Sequence, residues 1–248
     1  VGEEVGRVST RPAFYAARPG GWRDWWTILH PPYTAWHLSY VVIGATLAPR
    51  VDGGRLAATL LAFFLAVGIG AHALDELHGR PLRTHISSHV LVIAAVGALT
   101  GALALGVVGI SRVGGELLAF MVVGVVLVLG YNLELFGGAL HSDIGFAAGW
   151  GAFPVLTAYF VQAERLDASA GLAAAAAFAL SLAQRSLSTQ ARFVRRRTIA
   201  VDGTITTADG TVRAFGERDL LAPLERSLRW MSVATVALAT ALLFARVW

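Results

Sequence analysis

Seven apolar stretches, each close to twenty residues long, constrain this chain more than any other feature. They cover residues 33–49, 55–74, 86–110, 114–133, 142–163, 167–186 and 228–247 of a chain of 248. A helix needs about 20 apolar residues to cross a hydrocarbon core of roughly 30 Å. Within that core the backbone must satisfy its own hydrogen bonds, which a helix does alone. The pattern predicts an all-α polytopic membrane protein with about seven transmembrane helices. Charged residues are only 15% of the chain, against about 25% in soluble domains. Pro154 falls inside the fifth stretch, where it is expected to kink the helix rather than end it. Gly97, Gly101, Gly106 and the run Ala173 to Ala177 let helices approach closely, so a compact bundle is expected.

The absence of cysteine excludes disulfides and thiolate metal sites. All twenty cationic side chains are arginine. They do not interleave with aromatics along a soluble face, so the basic balance is read as membrane topology and not as nucleic-acid binding. With the N-terminus in the cytoplasm, fifteen arginines fall on the inner side and five, at positions 50, 55, 112, 165 and 246, on the outer side. This predicts insertion in the cytoplasmic (inner) membrane, N-terminus inside and C-terminus outside. Residues 1–32, tryptophan-rich and proline-broken, read as a cytoplasmic or interfacial segment with no cleavable signal. Residues 33–190 form the membrane core. Residues 191–227 form a basic cytoplasmic loop holding a small β-hairpin, signalled by Asp202-Gly203 and Asp209-Gly210, and then an amphipathic stretch lying on the membrane surface. Residues 228–248 are the last span.

In this topology the segments after the second, fourth and sixth stretches share one face, and they hold the densest polar clusters. That predicts one site at a cytoplasmic mouth. In the first cluster His72 and Asp75, three apart, share a helix face and can grip one cation; Arg80 is the nearby structural partner for Asp75. His85 and His89 have metal-pair spacing or simply start a helix. In the second, Tyr131, Asn132, Glu134, His141 and Asp143 surround a Gly137-Gly138 turn. Glu134 and Asp143 offer oxygen ligands for a hard cation such as Mg²⁺, and Asp143 equally suits a helix N-terminus. Trp150, Phe153, Tyr159 and Phe160 follow, either as core or as an apolar chamber. In the third, Arg185 and Arg192, with Ser188 and Thr189, suit phosphate oxygens, while Arg195, Arg196 and Arg197 are expected at lipid headgroups.

The stretches HPPYTAWHLSYVVIGATLAP, HALDELHGRPLRTHIS and YNLELFGG with WGAFPVLTAYF resemble the UbiA superfamily of intramembrane prenyltransferases, over roughly residues 30–190. Ala71, His72, Asp75 and Gly79 occupy the places of the first acidic motif, Arg80-Pro81-Leu82 matches the segment that follows, and Tyr131-Asn132 resembles the central Tyr-Ser element. The resemblance implies a UbiA-like bundle in which Mg²⁺ and basic residues bind a prenyl diphosphate and an acceptor attacks the allylic cation. On that reading Asp75 and Tyr131 are catalytic. Arg80, Arg185 and Arg192 bind diphosphate; Trp150, Phe153 and Tyr159 line the apolar chamber; His72, Asp75, Glu134 and Asp143 hold the metal. The chain departs from the family in keeping one motif aspartate of three and in having Gln184, Arg185 and Arg192 where a second acidic motif falls. Either arginines do part of the metal's work, or Glu134 and Asp143 supply it, or the protein is a non-catalytic membrane subunit or lipid-binding scaffold. A third reading is a metalloenzyme built on His72, His78, His85, His89 and His141.

Overall fold

The computed structural model describes residues 12–247. The start of the expected N-terminal segment, with Arg7 and Arg11, lies outside them. The described chain is mostly helical: α1 (Trp22–Ile28), α2 (Pro31–Leu47), α3 (Gly53–Leu77), α4 (Ser88–Val113), α5 (Leu117–Asn132), α6 (Asp143–Ala163), α7 (Ala168–Arg197), the antiparallel strands β1 (Asp202–Thr206) and β2 (Val212–Gly216), then α8 (Glu217–Val247). Five of these, α3, α4, α6, α7 and α8, are long and apolar enough to cross a bilayer. The other two expected crossings are shorter: α5 has 16 residues and α2 has 17.

Local chemistry sets the boundaries. Asp52, Ser87, Ser142 and Asp167 each accept a backbone N–H at the start of α3, α4, α6 and α7, the usual work of an N-cap. Pro31 starts α2, where its missing N–H costs nothing. Helix α6 continues through Pro154, as expected, but directly after a wide π-helical segment at Ala147–Ala152. A second such segment, Phe64–Ala71, interrupts α3.

Packing is tightest around α6. A Cβ on Gly44 of α2 would fall 2.3 Å from the carbonyl oxygen of Val155, and one on Gly151 would fall 2.5 Å from Ser181 Oγ. Glycine at these positions lets α2 and α7 clasp α6 from two sides. Between them Trp36 and Tyr40 pack on Val155, Ala174 and Ala177. Their polar atoms are paired, since Trp36 Nε1 donates to the Tyr40 hydroxyl and Ser181 Oγ donates to the same oxygen.

Three expectations need correction. The third basic cluster is not a loop: α7 runs to Arg197, so Arg185, Arg192 and Arg195 to Arg197 are helical. The hairpin exists, but its turn is at Asp209-Gly210, with Gly210 at φ 84°, while Asp202-Gly203 open β1. The stretch at 220–230 is not a separate surface helix, because α8 is continuous from Glu217 with Pro223 inside it. Leu221 and Leu228 are buried along that continuous face.

Candidate functional site

The C-terminal ends of α3, α5 and α7 meet the N-terminal ends of α2, α6 and α8 around a polar cavity of about 300 Å³. Its lining draws on all three clusters: His72 and Asp75 from the first, Tyr131, His141 and Trp150 from the second, Arg185, Arg192, Arg195 and Arg196 from the third. That the three clusters share one end of the bundle was the central expectation, and the fold meets it.

Asp75 is half-buried and makes no hydrogen bond or ion pair with any described residue. Arg196, His141 and Arg192 act on it electrostatically. The cationic wall is unevenly committed. Arg185 is tied by Nε to Asp143 Oδ1 at 2.9 Å and stacks over the Phe146 ring at 5.4 Å. Arg195 and Glu225 form a pair at 2.5 Å in which both side chains are only 11% exposed. Arg192 has no carboxylate among the described residues; it reaches only Ser188 Oγ (3.4 Å) and Thr189 Oγ1 (2.9 Å) of its own helix. Arg196 donates from Nε to the Pro12 carbonyl at 3.2 Å. Arg195 and Arg196 thus face inward, which corrects the expectation that they meet lipid headgroups.

The N-terminal segment, read from sequence only as interfacial, completes this wall. Pro12 to Tyr15 line the cavity, Phe14 lies under the Arg229 guanidinium at 5.0 Å, and Tyr15 hydrogen-bonds His30 Nδ1 at 2.6 Å. The His30 ring stacks on His72 with centroids 4.4 Å apart. Burial, with His72 beside it, holds the His30 imidazole well below the usual histidine range. Its Nε2 is buried without a partner, as is Gln184 Oε1. Nothing periodic in residues 12–30 marks them as cavity-lining.

Aromatic rings form the inner wall. Tyr131 packs on Trp150 (4.5 Å) and His141 (4.5 Å), and Phe146 stacks on Trp150 at 5.9 Å, 7° from parallel. His37, His72 and His141 each donate Nδ1–H to a backbone carbonyl, of Trp150, Gly68 and Tyr131 respectively.

Behind Trp150 lies a second, larger hollow of about 600 Å³, bounded by α3, α4, α5 and α6. Its walls are almost wholly apolar, and Trp150 lines both spaces. Phe153 lines this groove, as an apolar-chamber residue should. Tyr159 does not: it is buried against Ala48 and Ala170, and its hydroxyl donates to Asp167.

The remaining expected residues lie elsewhere. Arg80 donates to the Ile86 carbonyl (2.5 Å) and to Ser88 Oγ (2.7 Å), so it staples its own loop and is not paired with Asp75. Glu134 is exposed, 4.0 Å from both His78 Nε2 and His141 Nδ1. Asp143 sits in the first turn of α6, neutralised by Arg185. Glu76, adjacent to Asp75, is fully buried and anchors the loop by accepting from Leu82 N, Thr84 N and Thr84 Oγ1 at 2.8–2.9 Å. Among the described residues no three His, Asp or Glu side chains gather around one point. Mg²⁺ demands several oxygens in octahedral array, and the cavity offers the single carboxylate Asp75 beside ion-paired Glu225, so this donor set does not fit the ion. Nor do His72, His78, His85, His89 and His141 gather as a metal centre; His78, His85 and His89 are exposed. No family model, curated protein or solved structure matches the chain.

Proposed function

We propose that this chain is a UbiA-like membrane protein that takes a prenyl diphosphate, with the diphosphate in the arginine-lined cavity and the isoprenoid tail in the apolar groove. The observation that carries the reading is the continuity of the two spaces through Trp150: a cationic chamber opening on a greasy one is the complement of an anionic head on an apolar tail. Arg192 and Arg196 supply charge free of carboxylate partners, and guanidinium forks suit phosphate oxygens. In the transfer reaction the C1–O bond breaks and the diphosphate leaves with the electron pair, its charge met by the arginines and not by a metal. Tyr131, Phe146 and Trp150 face the allylic cation with their rings. The acceptor's lone pair forms the new bond to C1, and Asp75, the one unpaired carboxylate of the wall, takes the acceptor's proton. On this reading α2 and α5 complete seven crossings, and the cavity end faces the cytoplasm, as the arginine distribution favours.

A second reading is a non-catalytic lipid-binding scaffold, favoured by the lack of a gathered carboxylate set. Purified protein with labelled geranylgeranyl diphosphate, in EDTA and in Mg²⁺, separates the two. Binding in EDTA with diphosphate release on adding an acceptor pool supports transfer. Binding with no release supports the scaffold, and no binding refutes both.

A further inference from the structure

The far end of the apolar groove is shut by a polar knot. Arg55 of α3 donates from Nη1 to the Val161 carbonyl (3.0 Å) and from Nη2 to the Arg112 carbonyl (2.6 Å), and pairs with Glu164 at 2.8 Å. One side chain thereby ties the start of α3 to the ends of α4 and α6. Asp52, Arg55 and Arg112 border the groove there, whereas its other end is Trp150. An apolar tail gains nothing by passing into this knot, because it would have to break charge-assisted bonds and desolvate the guanidinium.

The distance between the two ends is set by helix geometry. On α3 the groove runs from Val67 to Arg55, twelve residues or about 18 Å at 1.5 Å per residue. On α4 it runs from Leu99 to Arg112, about 20 Å by the same rise. Each isoprene unit places four carbons along its backbone, and carbon–carbon bonds of about 1.5 Å in zigzag advance it about 5 Å. About four units therefore fill the groove from Trp150 to Arg55.

We infer that the Arg55 knot is the tail-length stop of this protein, which selects prenyl chains of about four isoprene units. The inference rests on the function proposed above and adds to it the class of donor. Ala62 lies midway along the α3 wall and lines the groove, so a bulky residue there moves the stop closer to Trp150.

The test is a binding series on detergent-solubilised full-length protein with geranyl, farnesyl, geranylgeranyl and decaprenyl diphosphates. Affinity is expected to rise to geranylgeranyl by at least about tenfold over geranyl, as successive apolar units are buried, and to rise no further with decaprenyl. In Ala62→Phe geranylgeranyl weakens at least about tenfold while geranyl changes less than about threefold; in Arg55→Ala decaprenyl gains on geranylgeranyl. Ala62→Phe gives the answer even should Arg55→Ala fail to fold. An affinity that keeps rising through decaprenyl, or an unchanged series in Ala62→Phe, overturns the length stop while leaving head-group binding standing. Failure to bind any member, geranyl included, overturns the proposed function itself.

Discussion

Arg192 and Arg195 stand one helical turn apart on α7 and line the same cavity, yet the structure assigns them opposite consequences on removal. Arg195 is paired with Glu225, and both side chains are 11% exposed. Arg195→Ala leaves a carboxylate buried without its cation, which costs about 3–5 kcal/mol. Arg192 has only Ser188 and Thr189 hydroxyls on its own helix, and the like charges of Arg185 and Arg196 act on it. Removing it sacrifices two modest hydrogen bonds, about 1 kcal/mol or less each, and relieves repulsion. Arg192→Ala is therefore expected to unfold within about 1 kcal/mol of the parent, whereas its affinity for a diphosphate falls. A hydrogen bond to a charged group is worth about 1.5–3 kcal/mol, so Kd rises about 10- to 150-fold at 1.4 kcal/mol per tenfold. Arg192→Lys should fall between, having charge without the fork. The assay is denaturant unfolding of the solubilised protein followed by tryptophan fluorescence, with calorimetric titration of geranylgeranyl diphosphate. Parent-like affinity in Arg192→Ala, or equal destabilisation of both variants, would refute this division of labour.

Other outcomes follow from single contacts. Glu76→Gln sets an amide N–H₂ against a backbone N–H that now meets a carboxylate oxygen, so unfolding stability should drop about 2–3 kcal/mol; a change under about 0.5 kcal/mol in the same denaturation assay counts against the loop anchor. Gly44→Ala drives a methyl to 2.3 Å from the Val155 carbonyl and should cost about 1–3 kcal/mol as the α2–α6 contact opens, read as a lowered thermal midpoint. Asp75→Asn should abolish diphosphate release while keeping or tightening diphosphate binding, since a repelling carboxylate leaves the cavity; undiminished turnover removes Asp75 as the base. Asp167 caps α7, and hydrogen bonds from Ser169 and then Tyr159 hold its carboxyl down at about 2 against an ordinary 3.8. A depressed acid stabilises the fold above its unfolded value, and that support is lost as pH falls through its folded value. The thermal midpoint should thus fall between pH 4 and pH 2 in the parent and fall less in Asp167→Asn; parallel pH curves would contradict the cap's role.

What the sequence disclosed and what it hid divide along physical lines. Polar clusters after every second apolar stretch must share an end if helices alternate, so Asp75, Tyr131, Arg185 and Arg192 were foreseeable as neighbours. Helical phase explains one failure. Tyr159 lies nine residues after Trp150, half a turn out of phase at about 100° per residue, and so faces away from the chamber, whereas Phe153 does not. Loop chemistry explains others, since Arg80 and Glu76 act on residues 82–88 through contacts that depend on how the chain turns after Leu77. Asp143 was legible as a helix-start carboxylate, but its capture of Arg185, 42 positions away, was not. The entry of Phe14 and Tyr15 into the cavity left no periodic signal at all, because an irregular segment carries none.

The widened turn at Phe64–Ala71 makes the chemistry of α3 depend on a count as much as on a composition. It lies between the stretch that walls the groove and the short stretch that carries His72, Asp75 and Glu76. Loss of one residue there would leave a hydrophobic rod of nearly the same reach, but advance everything beyond it by about 100°. Glu76 would then swing into the bearing that Asp75 holds, and Leu77 would inherit the pocket where three donors await a carboxylate. Such a chain would still offer an acid to the cavity, at the expense of the clasp that keeps the next loop in place. A one-codon deletion between positions 64 and 71 is therefore a harsher change to this protein than most substitutions within it.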